Sequence, residues 1–268
     1  MNLLKRTLTA LVLLGSLFAL IQYAPAWAFF LAGLVFVVFA LSEFYDLSAR
    51  HGLRPQKVLG LVLAFLILLT FYFRSLPIEA ALFAAILIAG VYYVAAVNTS
   101  EKLAGFPESF ASTLIGVLYV AFPLGFVFWI RQDDGPFFLY FLAAIVFIGD
   151  SGAFFIGKPF GRHKMTPTAS PNKSWEGSAG GFLFAIGGAV LARAILMPGL
   201  PLLTAVWTAL VVHAAAQISD PLESLFKRAV SVKDSSNRLP GHGGFLDRVD
   251  SLILAAPLFY YIVKLVWK

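Results

Sequence analysis

The 268-residue chain contains no cysteine. That excludes a disulfide framework, a thiolate metal site and a cysteine nucleophile. Charge is also scarce: Asp, Glu, Lys and Arg make up 13% of the residues, about half of the ~25% usual in soluble domains. No internal repeat is visible, so a transporter built from inverted halves finds no support. What fills the chain instead is apolar. Hydrophobic residues reach 60%, more than a soluble core absorbs, whereas a bilayer accepts them. The composition therefore predicts an integral membrane protein. The net charge is +6, which fits either Lys and Arg held at a cytoplasmic face or an anionic substrate, and the placement of the charges has to decide between them.

Nine apolar stretches stand out, at about 8–24, 26–42, 58–73, 78–97, 110–130, 136–157, 178–197, 201–219 and 251–267. Each comes near the ~20 residues with which a helix crosses ~30 Å of hydrocarbon. Helices are required because the bilayer core offers the backbone no other hydrogen-bond partner. The expected fold is all-α and polytopic, with about nine transmembrane helices. Five spans fall in an N-terminal part, residues 1–135, and four in a C-terminal catalytic part, residues 136–268. Lys5-Arg6, an apolar run and Ala26-Trp27-Ala28 resemble a cleavable signal peptide, but the hydrophobicity runs on into the second stretch, which fits a retained hairpin better. With a cytoplasmic N-terminus, Lys5, Arg6, Arg50, Arg54, Lys57, Lys102, Lys158, Arg162, Lys164, Lys173, Lys227, Arg228, Lys233, Arg238 and Arg248 all fall inside, most of the 20 Lys and Arg. This bias predicts an N-in, C-out protein with both long polar segments, 158–177 and 220–250, on the cytoplasmic side.

Those segments carry the chemistry. Asp220, Glu223, Ser224 and Lys227 recur at helical spacing and share one face at the end of the eighth span, which His213 and Gln217 continue into the membrane. Asp247, Asp250 and Ser251 are expected to share a face at the start of the ninth. Two helix ends that each present carboxylates call for a compensating cation. Hard oxygen ligands suit Mg²⁺, commonly held by one or two carboxylates plus substrate phosphates. Asp150 and Asp220 stand where spans meet the interface, a costly place for an acid. Lys173, Lys227, Arg228, Lys233, Arg238 and Arg248 supply phosphate clamps, forked for Arg and point-like for Lys. Gly241, Gly243 and Gly244 allow a backbone anion nest, and His242 beside them is a candidate proton donor or phosphate contact. Each of these residues alone reads as a solvated charge or an ordinary turn; their combination does not. Arg50, Arg54 and Lys57 lack such company and read as positive-inside charges or anchors to anionic lipid. Gly177 and Gly181 have the spacing of a helix–helix contact. A metal with phosphate clamps points to nucleotide or phosphoryl chemistry at a membrane surface, without naming the nucleotide or the lipid.

From Ser224 to Asp250 the chain closely resembles the CDP-diacylglycerol synthase (phosphatidate cytidylyltransferase) family. Ser224, Lys227, Arg228, Lys233, Asp234, Pro240, His242, Gly243, Gly244, Asp247, Arg248 and Asp250 fall in register with its signature. Asp150-Ser-Gly-Ala, Phe160-Gly-Arg-His-Lys164 and Ser170-Pro-Asn-Lys173-Ser-Trp-Glu176-Gly agree with a second family segment. The N-terminal half matches in hydropathy and length alone. Ser219 stands where the family usually has Gly, and Phe155 where an aromatic, often Tyr, is expected. The resemblance implies transfer of the cytidylyl group of CTP to phosphatidate, giving CDP-diacylglycerol and pyrophosphate, with Mg²⁺ as cofactor. It implies metal binding by Asp220, Asp247 and Asp250 and catalytic roles for Asp220, Asp247, Lys173, Lys227, Arg228 and Arg248. Substrate contacts are expected from Ser224, Glu223, Lys233, Asp234, Arg238, His242, Gly243, Gly244 and Lys164. The expected partners are CTP, phosphatidate and membrane lipid, with no nucleic acid. A homodimer fits the family, although the spacing itself shows no interface. The expected location is the cell membrane, multi-pass, with the site facing the cytoplasm.

Two other readings compete. A CTP-dependent polyprenol kinase would need a base for its alcohol substrate and does not account for the full signature. A lipid transporter would place charges deep within several spans, whereas here they crowd at one face. A CDP-alcohol phosphotransferase is disfavoured because no Asp-x-x-Asp-Gly-x-x-Ala-Arg motif occurs.

Overall fold

The computed structural model describes residues 15–239, 241 and 243–267. Lys5, Arg6, the start of the first expected span and its leader-like n-region lie outside the described residues, as do Pro240, His242 and Lys268. The chain forms two compact units, one of Met1–Phe128 with Asp234–Arg248 and one of Trp129–Lys233 with Val249–Lys268.

In the first unit, α1 is described over residues 15–23. It is followed by α2 (Ala26–Arg50), α3 (Lys57–Tyr72), α4 (Ile78–Ala96), α5 (Ser100–Gly116), a π-helical turn (Val117–Ala121) and α6 (Phe122–Trp129). Pro25 precedes α2 as its N-cap residue. Thr99 caps α5 by accepting a hydrogen bond from the Lys102 N–H at 3.3 Å. Tyr45 is the hub of the core. A Cβ on Gly60 would lie 2.0 Å from its hydroxyl oxygen and one on Gly116 2.4 Å from its ring, and the hydroxyl donates to the Thr113 carbonyl at 2.8 Å. Segment 234–248 returns to this unit and packs Phe245 against Phe39, ring centroids 4.8 Å apart, and against Phe36.

The second unit begins with a π-helical turn (Ile130–Asp134), then α7 (Pro136–Ala143), another π-helical turn (Ala144–Ile148) and α8 (Gly149–Phe160). Next come β1 (Lys164–Thr166), β2 (Ser170–Ser174), α9 (Trp175–Leu196), α10 (Leu202–Ala229) and α11 (Asp250–Val266). The protein is nearly all helical, and the antiparallel hairpin β1–β2 departs from the all-α expectation. Segment 158–177 is thus ordered: Glu176 accepts from the Arg162 and His163 backbone N–H groups at 3.1 and 3.2 Å, and Ser174 caps α9 through Gly177 N at 3.1 Å. Helices α8 and α9 pack closely. A Cβ on Gly177 would meet the Ala153 carbonyl at 2.9 Å and one on Gly181 the His213 ring at 2.6 Å, so the helix-contact reading of these glycines holds.

Among the described residues, six helical segments are long and apolar enough to cross a membrane: Ala26–Arg50, Ile78–Ala96, Ser100–Asp134, Pro136–Phe160, Trp175–Leu196 and Leu202–Ala229. Lys57–Tyr72 is a shorter apolar helix of 16 residues, about 24 Å at 1.5 Å per residue. Asp250–Val266 has 17.

Candidate active site

The face expected on residues 220–227 forms because α10 runs beyond the apolar stretch to Ala229. Ser224 donates to Asp220 Oδ1 at 3.4 Å, and one turn on, Lys227 pairs with Glu223, both enclosed by protein. Strand β2 carries Lys173, whose Nζ lies 2.8 Å from Asp220 Oδ2. Two further carboxylates belong to the same cluster. Asp150 on α8 accepts from the Ser251 hydroxyl at 3.0 Å. Asp250 opens α11, and its Oδ1 accepts from Ser251 N at 2.7 Å. Asp150, Asp220 and Asp250 lie within electrostatic range of one another, Lys173 acts on Asp150 and Lys227 on Asp250. Ser219, the departure from the family pattern, donates its hydroxyl to the Asp250 carbonyl and so ties α10 to the start of α11.

The other basic residues divide. Arg228 spends its guanidinium on backbone carbonyls, those of Ala169 at 3.2 Å and Val232 at 2.7 Å, and so braces the hairpin. Lys164, Lys233 and Arg248 are exposed, as is Asp234. Deeper in the second unit, Gln217 donates to the Ser178 carbonyl at 3.1 Å, accepts from the Ser178 hydroxyl, and sits 2.9 Å from His213 Nε2. This continues the polar face into the helix, as the spacing predicted.

Asp247, Arg238 and the glycine turn belong to the first unit. Asp247 does not share a helical face with Asp250: it lies in a single 3₁₀ turn, Leu246–Arg248, and Val249 (φ −122°, ψ 1°) interrupts before α11 starts. Asp247 Oδ2 accepts from Ser235 N at 2.9 Å and Gly244 N at 2.8 Å, with the Ser235 hydroxyl at 2.9 Å. The turn is closed by Leu239 N–H donating to the Gly243 carbonyl at 2.9 Å. Gly243 has φ +77°, where a side chain would be strained. A Cβ on Gly244 would fall 2.0 Å from Ser235 Oγ. Arg238 lies 3.5 Å from Asp46 and over the Phe39 ring. His242 lies outside the described residues.

Sequence reasoning missed two residues here. Asp150 was noticed for its depth but not joined to the cluster, and Glu43 on α2, which bonds to segment 234–248, was not singled out. An acid inside an apolar stretch is the signal that could have found Glu43.

The arrangement is oxygen-rich, with interspersed cations and no activated Ser nucleophile. Among the described residues, no three His, Asp or Glu side chains form a preformed metal cage. The donor set is carboxylate oxygen, the kind of ligand a hard cation such as Mg²⁺ would take. A sequence model of the cytidylyltransferase family matches residues 4–266. The chain belongs to the cytidylyltransferase family. This cytidylyltransferase is similar to the phosphatidate cytidylyltransferase of Brucella suis, 34% identical over 97% of this chain and 92% of the relative. It is 33% identical to that of Bacillus subtilis over 84% of this chain and 85% of the relative. Against that of Staphylococcus epidermidis it is 39% identical over 55% of this chain and 56% of the relative. For a cytidylyltransferase, a carboxylate cluster interleaved with lysines is a fitting place to receive a triphosphate.

Proposed function

We propose that this cytidylyltransferase transfers the cytidylyl group of CTP to phosphatidate, leaving CDP-diacylglycerol in the membrane and releasing pyrophosphate. The observation that carries the reading is similarity along almost the whole chain, 34% identity over 97% of it, to a phosphatidate cytidylyltransferase. A phosphate oxygen of the lipid bonds to the α-phosphorus of CTP. The bond from that phosphorus to the α–β bridging oxygen breaks, and its electron pair departs with pyrophosphate. The nucleophile is already anionic, so it needs alignment and charge screening more than a base.

Asp220 and Asp250 of the second unit and, from the family signature, Asp247 are the proposed carboxylates for Mg²⁺, with Glu223 as an outer-shell candidate. Bound there, Mg²⁺ would offset the charge of the triphosphate and of the leaving pyrophosphate. Lys173, now on Asp220, is free to exchange its carboxylate for a phosphate once a metal takes the acid. Arg248, Lys233 and Lys164 are exposed cations suited to direct phosphate contact. Lys227 and Arg228, one enclosed and the other held by carbonyls, support the site from behind. Ser224, Asp234, Arg238, His242, Gly243 and Gly244 complete the proposed substrate contacts. In the membrane, the proposal is about nine spans, an N-in orientation and a cytoplasmic site, supported by the distribution of Lys and Arg.

Two labelled forms of CTP test the reaction. Label in the α-phosphate should enter the lipid fraction in the presence of phosphatidate. Label entering lipid only from the γ-phosphate would identify a kinase and overturn the reading.

A further inference from the structure

Glu43 of α2 is fully shut off from solvent, with 0% of its surface exposed, within a run of buried residues from Ala40 to Tyr45. A carboxylate in such a place is costly unless hydrogen-bond donors surround it. Among the described residues, the donors come from segment 234–248. Ser236 Oγ donates to Glu43 Oε1 at 2.6 Å, and Leu246 N–H donates to Oε2 at 2.9 Å. Ser235 Oγ lies 3.0 Å from Oε2, and Arg238 Nη1 3.9 Å from Oε1.

The same segment presents Asp247. The Ser235 hydroxyl lies between the two acids, 3.0 Å from Glu43 and 2.9 Å from Asp247 Oδ2, while the Ser235 backbone N–H donates to Asp247. Gly244 leaves room for this arrangement, since a Cβ there would come within 2.4 Å of Glu43 Oε2. Glu43 therefore grips both ends of the loop, Ser235–Ser236 before the glycine turn and Leu246 after it. The neighbouring contact of Phe245 with Phe36 and Phe39 is apolar and non-directional, and it does not set where each oxygen of Asp247 points.

We propose that Glu43 is a positioning residue for cytidylyl transfer: acting through Ser235, Ser236 and Leu246, it holds the loop that presents Asp247 and the glycine turn to CTP and its metal. The proposal rests on the reading that Asp247 serves the active site. Its effect is on turnover and on the Mg²⁺ requirement.

The test uses the full-length protein in detergent, with E43Q, E43D, S236A and D247N beside the wild type. Initial rates are measured against CTP and Mg²⁺, and a thermal melt is recorded for each variant. E43Q keeps the shape but faces its N–H groups towards loop donors. It should lower turnover by about tenfold to a hundredfold, the usual effect of losing a residue that orients a metal-binding group. It should also raise the Mg²⁺ concentration for half-maximal rate, with a melt close to wild type. E43D should recover part of the loss. Wild-type turnover and Mg²⁺ dependence in folded E43Q overturn the proposal. If E43Q does not fold, S236A decides: removing one donor while leaving the acid should cost about threefold to tenfold and shift the Mg²⁺ requirement the same way, and no shift refutes the role. D247N separates the two layers. An active D247N removes the underlying reading, whereas an inactive D247N beside unaffected E43Q and S236A removes only the role of Glu43.

Discussion

At the scale of single residues, each candidate carboxylate already has identified partners within its own unit. Asp220 is met by Lys173 and Ser224, Asp150 by Ser251, and Asp247 by three donors of its own loop. Changing Asp247→Asn turns one acceptor oxygen into a donor against those donors and removes the negative charge. Turnover in purified enzyme should fall by about a hundredfold to a thousandfold or more, the size of effect seen when a preorganised electrostatic group is lost, while the protein still inserts and purifies. Near-normal activity would remove Asp247 from the site. Arg54 gives the contrast. Its pair with Glu101 at 3.2 Å is open to solvent, 68% and 82% exposed, and such pairs contribute about 0–1 kcal/mol. Arg54→Ala should therefore cost at most about 1 kcal/mol of stability and leave kcat/KM close to wild type. A large loss would draw the second expected cytoplasmic loop into the chemistry.

At the scale of elements, the polar segments owe their shape to local caps and close approaches. The 158–177 segment is a hairpin whose end is fixed by Ser174 and Glu176 at the start of α9, and this delivers Lys173 to Asp220. The 234–248 segment depends on absent side chains. Gly244→Ala would set a methyl group 2.0 Å from Ser235 Oγ, and relieving such overpacking costs about 1–3 kcal/mol. The loop should then open, read as faster tryptic cleavage at Arg238 or Arg248 together with reduced turnover. Cleavage and rate matching wild type would mean that the loop tolerates the change without consequence. Much of α10 was legible in the sequence because the i, i+3, i+4 rule is local. The hairpin was not, because its strands show no apolar alternation. Nor was the break between Asp247 and Asp250, where spacing alone could not reveal the non-helical backbone at Val249.

At the scale of the whole molecule, the proposed cation requirement and the proposed orientation in the membrane each have a direct test. Chelation with EDTA should abolish transfer of α-label from CTP to lipid and added Mg²⁺ should restore it; activity that survives chelation would rule out a divalent ion in the reaction. Orientation can be read directly because the chain has no cysteine, so single cysteines report without background. A cysteine replacing Lys164 should react with an impermeant reagent only from the cytoplasmic side, and one replacing Gly199 only from the other side. The reverse pattern would invert the proposed topology.

Membrane class, helical fold, the polar face of α10 and membership of the family were all determined by the sequence itself. They follow from composition, from helical spacing over a few residues and from a signature contained in 27 consecutive positions, Ser224 to Asp250. Tertiary structure alone decided the long-range partners. Asp150 meets Ser251 across 101 positions of sequence, and Glu43 meets Ser235 across 192. No local pattern predicts such pairs. They form because a carboxylate enclosed by protein must be surrounded by donors, and only the folded backbone determines which donors come within reach.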